Sequence, residues 1–245
     1  CEILVIGAGV GGLVTATSAV EEGADVVLIA SSSGPVSRGG SNAAFNTRLT
    51  HELGMDYTRE EIEPIFQDIF AANSFRLDQE KWWLVYDESG NAMNWLMDKV
   101  EPYGITAVIE NNQQDGGKNW WDGGPLKTLN VSHSFVAEGA QAAGASQQIV
   151  VEALAEEIQK GGGRIFYNTT AVQLDREGDN TGRVTGCVAK ADGKYTRYNA
   201  SKGVVLATGD FSQDKDMVAK YCPIALPFGN GGVYDGSGLK LALWI

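Results

Sequence analysis

Reactive side chains are scarce in this chain. Its 245 residues hold three cysteines and two histidines. Cys1, Cys187 and Cys222 lie far apart and form no C-x-x-C, which argues against a disulfide framework and a cysteine metal site. His51 opens His-Glu-Leu-Gly, not H-E-x-x-H, and His133 stands alone between two serines, so no metal site can be argued. Basic charge is also short: 19 Lys and Arg face 31 Asp and Glu, for a net charge of −12. With no Lys/Arg run, nucleic acid and anionic membrane surfaces are not expected partners. No apolar run is long enough to span a bilayer, so direct membrane insertion is not expected either.

What the chain does have is glycine in the right places. An apolar run from Ile3 to Ile6 leads at once into Gly7-Ala8-Gly9-Val10-Gly11-Gly12. A helical segment with Leu13, Ala16, Thr17 and Val20 at apolar spacing follows, stopped by Gly23, and then a second apolar run, Val26 to Ile29. Strand, glycine turn, helix and strand form the context in which G-x-G-x-x-G signifies a dinucleotide site. Gly7 permits the bend, Gly9 lets a pyrophosphate approach the backbone, and Gly12 lets the helix pack close to the sheet. The free N–H groups and positive end of the helix face the phosphates. The other reading is a packing turn without a ligand. The second strand ends on Ala30, followed by Ser31, Ser32 and Ser33, where an Asp or Glu usually holds the ribose. A neutral site with Arg38 nearby leaves NADP open as an alternative.

Further on, residues 31–46 read as a loop in which Gly39, Gly40, Ser41 and Asn42 suit a flat, uncharged ligand surface. Thr58 with Glu61 predicts a capping box opening a helix to Asn73. Two helices are expected over Gln79–Tyr86 and Asn91–Val100, with Trp82, Trp83 and Trp95 as core, and a short strand over Thr106–Ile109. Trp120 and Trp121 read as a hydrophobic seam or the lining of a pocket. His133 is a structural residue or a catalytic imidazole, the former being the commoner case, and Cys222 reads as a bland thiol. A helix spans 144–160, and Gly161-Gly162-Gly163 ends it. A strand over Arg164–Asn168 precedes three antiparallel strands, Ala171–Asp175, Arg183–Ala189 and Lys194–Asn199, with a turn at Asp192-Gly193. Another buried strand, Gly203–Ala207, runs into Thr208-Gly209-Asp210, and a glycine-rich turn precedes a final helix.

Four motifs in this order, GAGVGG at 7–12, RGGSNAA at 38–44, VVLATGDF at 204–211 and DGSGLKLA at 235–242, resemble the flavoprotein subunit family of fumarate reductases and succinate dehydrogenases, with its soluble fumarate and urocanate reductase and ketosteroid dehydrogenase relatives. The resemblance implies an α/β, Rossmann-like FAD-binding domain. It has a central parallel sheet, helices on both faces and a small antiparallel β-meander, here spanning residues 1–245. It covers the first half of the family's length. The family's capping domain, its catalytic arginine and its dicarboxylate-binding residues belong to later parts, so no catalytic residue is named and the segment is not expected to turn over alone. The missing initiator Met and the immediate first strand suggest that preceding residues were removed or are absent. A cytoplasmic setting is the expectation, and a periplasmic one if a leader peptide was cleaved.

The resemblance also implies site roles. Gly7, Gly9 and Gly12 meet the pyrophosphate. Ala30 takes the ribose-binding Glu position, with Ser31 next to it. Gly39, Gly40, Ser41 and Asn42 line the flavin side, and Ala171 or Val172 offers backbone groups to adenine. Ala207, Thr208 and Gly209 pass near the ribityl chain and pyrophosphate, while Ser237 replaces the Asp of the family's G-D-G and Asp235 compensates. Serines and a proline stand where covalent members carry the flavin-linked His, so non-covalent FAD is expected. The implied chemistry is hydride transfer between FAD and the C=C or CH–CH bond of an unsaturated acid or enone. No second G-x-G-x-x-G is seen for NAD(P)H, so the expected partners are a small-molecule substrate and an electron-donor protein or domain. Two alternatives stay open: an NADP-binding dehydrogenase, and a FAD-holding module without catalysis.

Overall fold

The computed structural model describes residues 1–37, 39, 41–110, 129, 131–140, 146–178, 181–228 and 234–245. The chain divides into two compact units, one built from residues 1–37 and 154–245, the other from 38–153.

The first unit is laid on four parallel strands: β1 (Ile3–Ile6), β2 (Val26–Ile29), β6 (Arg164–Phe166) and β10 (Gly203–Leu206), in the order β10-β1-β2-β6. The β-branched runs read from the sequence are buried on both faces, as parallel strands require. Their alternation splits the side chains. Leu4, Ile6, Val27 and Ile29 meet Leu174, Cys187 and Ala189 of an antiparallel meander and Leu241 of the final helix. The helix α1 (Val10–Glu21) packs on β1 and β2 through Leu13 and Ala16, both without exposed surface.

The meander consists of β7 (Thr170–Arg176), β8 (Val184–Ala191) and β9 (Lys194–Asn199). Asp192 and Gly193, both at positive φ, close the two-residue turn that the Asp-Gly pair predicts. The helix α5 (Gln147–Lys160) begins in the second unit and ends in the first, where Gly161 and Gly163 admit Val20 of α1: a Cβ on Gly161 would lie 2.2 Å from Val20 Cγ1. Two short helices finish the unit, α6 (Lys215–Tyr221) and α7 (Ser237–Leu243). The sequence pattern does not announce α6, although Asp214 caps it by accepting from Met217 N at 2.9 Å.

The second unit combines a small antiparallel sheet with helices. The sheet holds β3 (Asn42–Ala43), β5 (Ser132–Ala137) and β4 (Ile105–Ile109), in that order. The helices are α2 (Arg48–Glu52), α3 (Arg59–Ala72) and α4 (Gln79–Val100). The expected capping box opens α3, with Thr58 Oγ1 accepting from Glu61 N and Glu61 Oε2 accepting from Thr58 N. The sequence predicts two helices where one runs unbroken from Gln79 to Val100. Gly90 is the reason: it is no breaker but a notch, because a Cβ there would lie 2.6 Å from Phe45 O and 2.8 Å from Asn46 O. Trp82 and Trp83 are half-buried and pack on the core residue Phe66, Trp82 on Phe70 as well, and Trp95 is half-buried under Lys99. Trp120 and Trp121 lie outside the described residues. Among the described residues, no helix is long and apolar enough to cross a membrane.

Candidate cofactor site

In a parallel sheet the ligand crevice lies beyond the carboxyl ends of the strands, where neighbouring connections diverge. Here β1 lies between β2 and β10, and the ends of these strands bring Gly7, Ala30 and Ala207 to one edge. Gly7, with φ of +117°, donates its N–H to Ile29 O, and Ala207 donates to Ile6 O, both at 2.8 Å. A Cβ on Gly7 would lie 2.2 Å from Ala207 O, and one on Gly12 would lie 2.0 Å from Gly7 O. The protein's own backbone therefore demands glycine at both positions.

Gly9 differs. Its backbone is extended (φ −81°, ψ 176°), and nothing lies within 4 Å of a Cβ built on it. The fold leaves this space open, directly before the first turn of α1. That turn has no side-chain cap and no acidic residue. The first intrahelical bond is Leu13 N to Gly9 O, so the N–H groups of Val10, Gly11 and Gly12 have no acceptor within the helix. An open notch before three such N–H groups at the positive end of a helix fits a pyrophosphate.

Beside it, the turn after β2 is tied to the chain after β6. Ala30 N donates to Phe166 O, Thr169 N to Ala30 O and Asn168 N to Ser32 O, at 2.8–2.9 Å. Ala30 is 4% exposed and offers no polar side-chain atom, while Ser31 is exposed. The meander approaches the same edge through β7. Ala171 pairs with Ala189 and Gln173 with Val188, so Val172 is a bulged residue without a register partner. A bulge leaves the extra residue outside the ladder.

Thr208 and Gly209 continue from β10, and the turn before α7 packs on them. Asp235 Oδ1 accepts from Ser237 N at 2.9 Å, and that bond, with the Ser237 side chain, holds its carboxyl below the ordinary value. Asp235 thus serves the start of α7. Its neighbour Lys240 pairs with Asp214.

The remaining candidates belong to the second unit. Gly39 has φ of +80° and nothing lies within 4 Å of a Cβ built on it, while Arg38 and Gly40 lie outside the described residues. Ser41 is exposed. Asn42 Nδ2 donates to Gln147 Oε1 at 2.9 Å. Gln147 is 6% exposed and was not singled out from the sequence; the only signal was a polar residue opening an apolar helix face. His133, paired with Asn42 across β3 and β5, has no exposed surface. Its Nδ1 donates to Val131 O at 3.0 Å and its Nε2 accepts from Thr47 Oγ1 at 2.8 Å. Burial lowers its pKa, so it is a neutral structural histidine, the commoner of the two roles expected for it. His51 pairs with Asp56 on the surface. Among the described residues no group of three or more His, Cys, Asp or Glu is placed to hold a metal.

The FAD binding domain family matches residues 2–244 of this chain. A vinyl phenol reductase of Lactiplantibacillus plantarum is 26% identical over 251 residues, covering 98% of this chain and 45% of that protein. A probable fumarate reductase of Shewanella frigidimarina is 25% identical, covering 98% of this chain and 38% of that protein. In fold the chain is similar to a 3-ketosteroid dehydrogenase of Rhodococcus jostii solved with 4-androstene-3,17-dione, with a TM-score of 0.75 and 24% identity over 99% of this chain and 53% of that one. It is similar too to a flavocytochrome c3 fumarate reductase, with a TM-score of 0.69 and 21% identity over 99% of this chain and 40% of that one. The chain spans less than half the length of these two curated relatives.

Proposed function

The chain belongs to the FAD-binding domain family, with FAD as its cofactor, and on that footing we propose that it is the cofactor-holding part of a flavin-dependent oxidoreductase. The observation that carries the reading is the contrast among three glycines: Gly7 and Gly12 are closed in by backbone, while Gly9 opens onto the free end of α1. Gly7, Gly9 and Gly12 would hold the pyrophosphate. The turn Ala30–Ser31 would meet the ribose, the bulge at Ala171 and Val172 the adenine, and Ala207, Thr208 and Gly209 the neighbouring chain. Gly39, Gly40, Ser41 and Asn42 would serve the flavin side. Both units together form one FAD-binding domain on this reading, and the cofactor is held without a covalent bond.

Bound FAD supplies hydride chemistry on a C=C or CH–CH bond, and the protein orients it and sets the local charge. The names of the relatives, a vinyl phenol reductase and fumarate reductases, support an unsaturated small molecule as substrate, an acid or an enone. Electrons would come from a redox protein or a further domain. The test is direct. Purified protein incubated with FAD and desalted should stay yellow, and acid precipitation should leave all flavin in the supernatant. Colourless protein after reconstitution refutes the cofactor site; flavin in the pellet refutes the non-covalent reading. Dithionite-reduced protein, as the full-length polypeptide, should then be reoxidised by an unsaturated acid or enone under anaerobic conditions.

A further inference from the structure

The turn before α7 is packed against the cofactor edge in a way that the motif alone does not explain. A Cβ on Gly209, which has φ of +82°, would lie 2.6 Å from the ring of Tyr234. A Cβ on Gly238 would lie 1.9 Å from Thr208 Oγ1 and 2.6 Å from Thr208 Cβ. Gly236 N donates to Asp210 O at 3.2 Å, and Gln213 N to Tyr234 O at 2.9 Å. On its other side the same loop touches the glycine turn. Ala207 O closes off Gly7, and Ala207 Cβ would be 3.3 Å from a Cβ on Gly12. The order is Tyr234–Gly238, then Ala207–Asp210, then Gly7–Gly12, with glycine at each close approach. Lys240–Asp214 and Leu241, 4% exposed in the core, fix α7 in place.

We propose that Tyr234 and Gly238 are positioning residues which clamp the Ala207–Gly209 loop and through it set the geometry of the glycine turn, so that cofactor retention depends on the docking of α7. The inference rests on the cofactor reading but adds to it. Asp235 and Ser237 then act by forming the start of α7, and Tyr234 joins the site as its outer wall. Close packing transmits displacement because the layers have no slack.

The test compares Gly238→Ala, Tyr234→Ala and Tyr234→Phe in the protein as it stands. Urea unfolding checks that each apo variant folds. Flavin-fluorescence quenching gives the FAD dissociation constant, competition gives that of ADP, and hydrogen exchange of the apo protein reads the amides of residues 7–12. The clamp predicts that Gly238→Ala and Tyr234→Ala weaken FAD and ADP by the same factor, about ten- to a hundredfold, the scale expected for a site displaced by about an ångström. Exchange over residues 7–12 should rise, and Tyr234→Phe, which keeps the ring, should restore both readouts to parental values. Unchanged exchange in both disruptive variants overturns the clamp. So does a loss of FAD affinity with ADP unaffected, which would place these residues against the flavin end instead. Should Gly238→Ala fail to fold, Tyr234→Ala decides, since it removes atoms rather than adding them. A parent that binds no FAD sinks the cofactor reading, while the exchange result still decides the clamp.

Discussion

The two glycines Gly9 and Gly12 should respond to alanine in opposite ways, and the contrast separates a cofactor cradle from a mere packing turn. At Gly12 the new methyl would sit 2.0 Å from Gly7 O, a backbone atom that cannot rotate away. Overpacking of this kind costs about 1–3 kcal/mol, offset in part by the gain of about 1 kcal/mol in helix propensity over glycine. Because the clash is with backbone, the upper end applies, and Gly12→Ala should lower apo stability by about 2 kcal/mol in urea unfolding. At Gly9 the methyl meets nothing within 4 Å, and the extended backbone suits any residue. Reduced freedom of the unfolded chain adds about 0.4–1 kcal/mol, and the poorer N-cap removes a similar amount. Gly9→Ala should leave apo stability almost unchanged. The same methyl occupies the approach to the N–H groups of α1. Loss of one charge-assisted hydrogen bond costs about 1.5–3 kcal/mol, or roughly ten- to 150-fold in dissociation constant. FAD titration by fluorescence quenching measures this directly. A Gly9→Ala protein that binds FAD as tightly as the parent refutes the cradle. A Gly12→Ala protein as stable as the parent refutes the packing argument.

Three further outcomes follow from the same geometry. Ala30→Glu should tighten FAD about tenfold or more by restoring a charged acceptor for the ribose. Because Ala30 is 4% exposed, the variant should also lose about 1–3 kcal/mol of apo stability in urea; unchanged or weaker FAD binding would count against this ribose placement. Burial pushes the Cys187 thiol up to about 12, so native protein at pH 8 should show Cys222 reacting with a disulfide reagent while Cys187 reacts only after denaturation. A Cys187 as fast as Cys222 would contradict its burial. His133 is held below its ordinary value of 6.5, so the unfolded chain takes up the proton more readily than the folded one. Its contribution is complete above pH 6.5, erodes as pH falls toward the folded pKa at up to about 1.4 kcal/mol per unit, and is constant below that. Urea midpoints for parent and His133→Gln from pH 7.5 down to 5 should converge on acidification; parallel curves would show that His133 is not the group involved.

The parts of the structure that could be read from the sequence are those fixed by neighbours in sequence. The glycine turn between Ile3–Ile6 and Val26–Ile29, the Thr58–Glu61 box and the Asp192-Gly193 hairpin are each set within a few residues. What escaped is set from a distance. Ser132–Ala137 has too little alternation to announce a strand, and it exists by pairing with Ile105–Ile109 and Asn42–Ala43. Gly90 looks like a stop locally, yet it is needed because Phe45 and Asn46 pass over it. The Asn42–Gln147 hydrogen bond joins residues whose proximity no spacing rule encodes. For the site, the glycines could be read because they serve backbone geometry. The covering role of Tyr234 could not, because an aromatic after a glycine-rich turn carries no sign of what it will rest on.

The order of the strands bears on how the chain acquires its fold. In the four-stranded sheet Val27 pairs with Arg164, and Ile6 with Leu206, so β1, α1 and β2 are made long before their partners β6 and β10. Residues 38–153 intervene as a unit of their own. Closing a flexible loop costs about 0.6 kcal/mol more with each doubling of its length, so prior folding of that unit would shorten the effective loop and favour closure of the sheet. The cofactor edge is therefore a late product. Gly7 is made early relative to Ala207, whose carbonyl shapes it and follows about two hundred residues afterwards, and slow assembly from distant pairings is the expected kinetic signature.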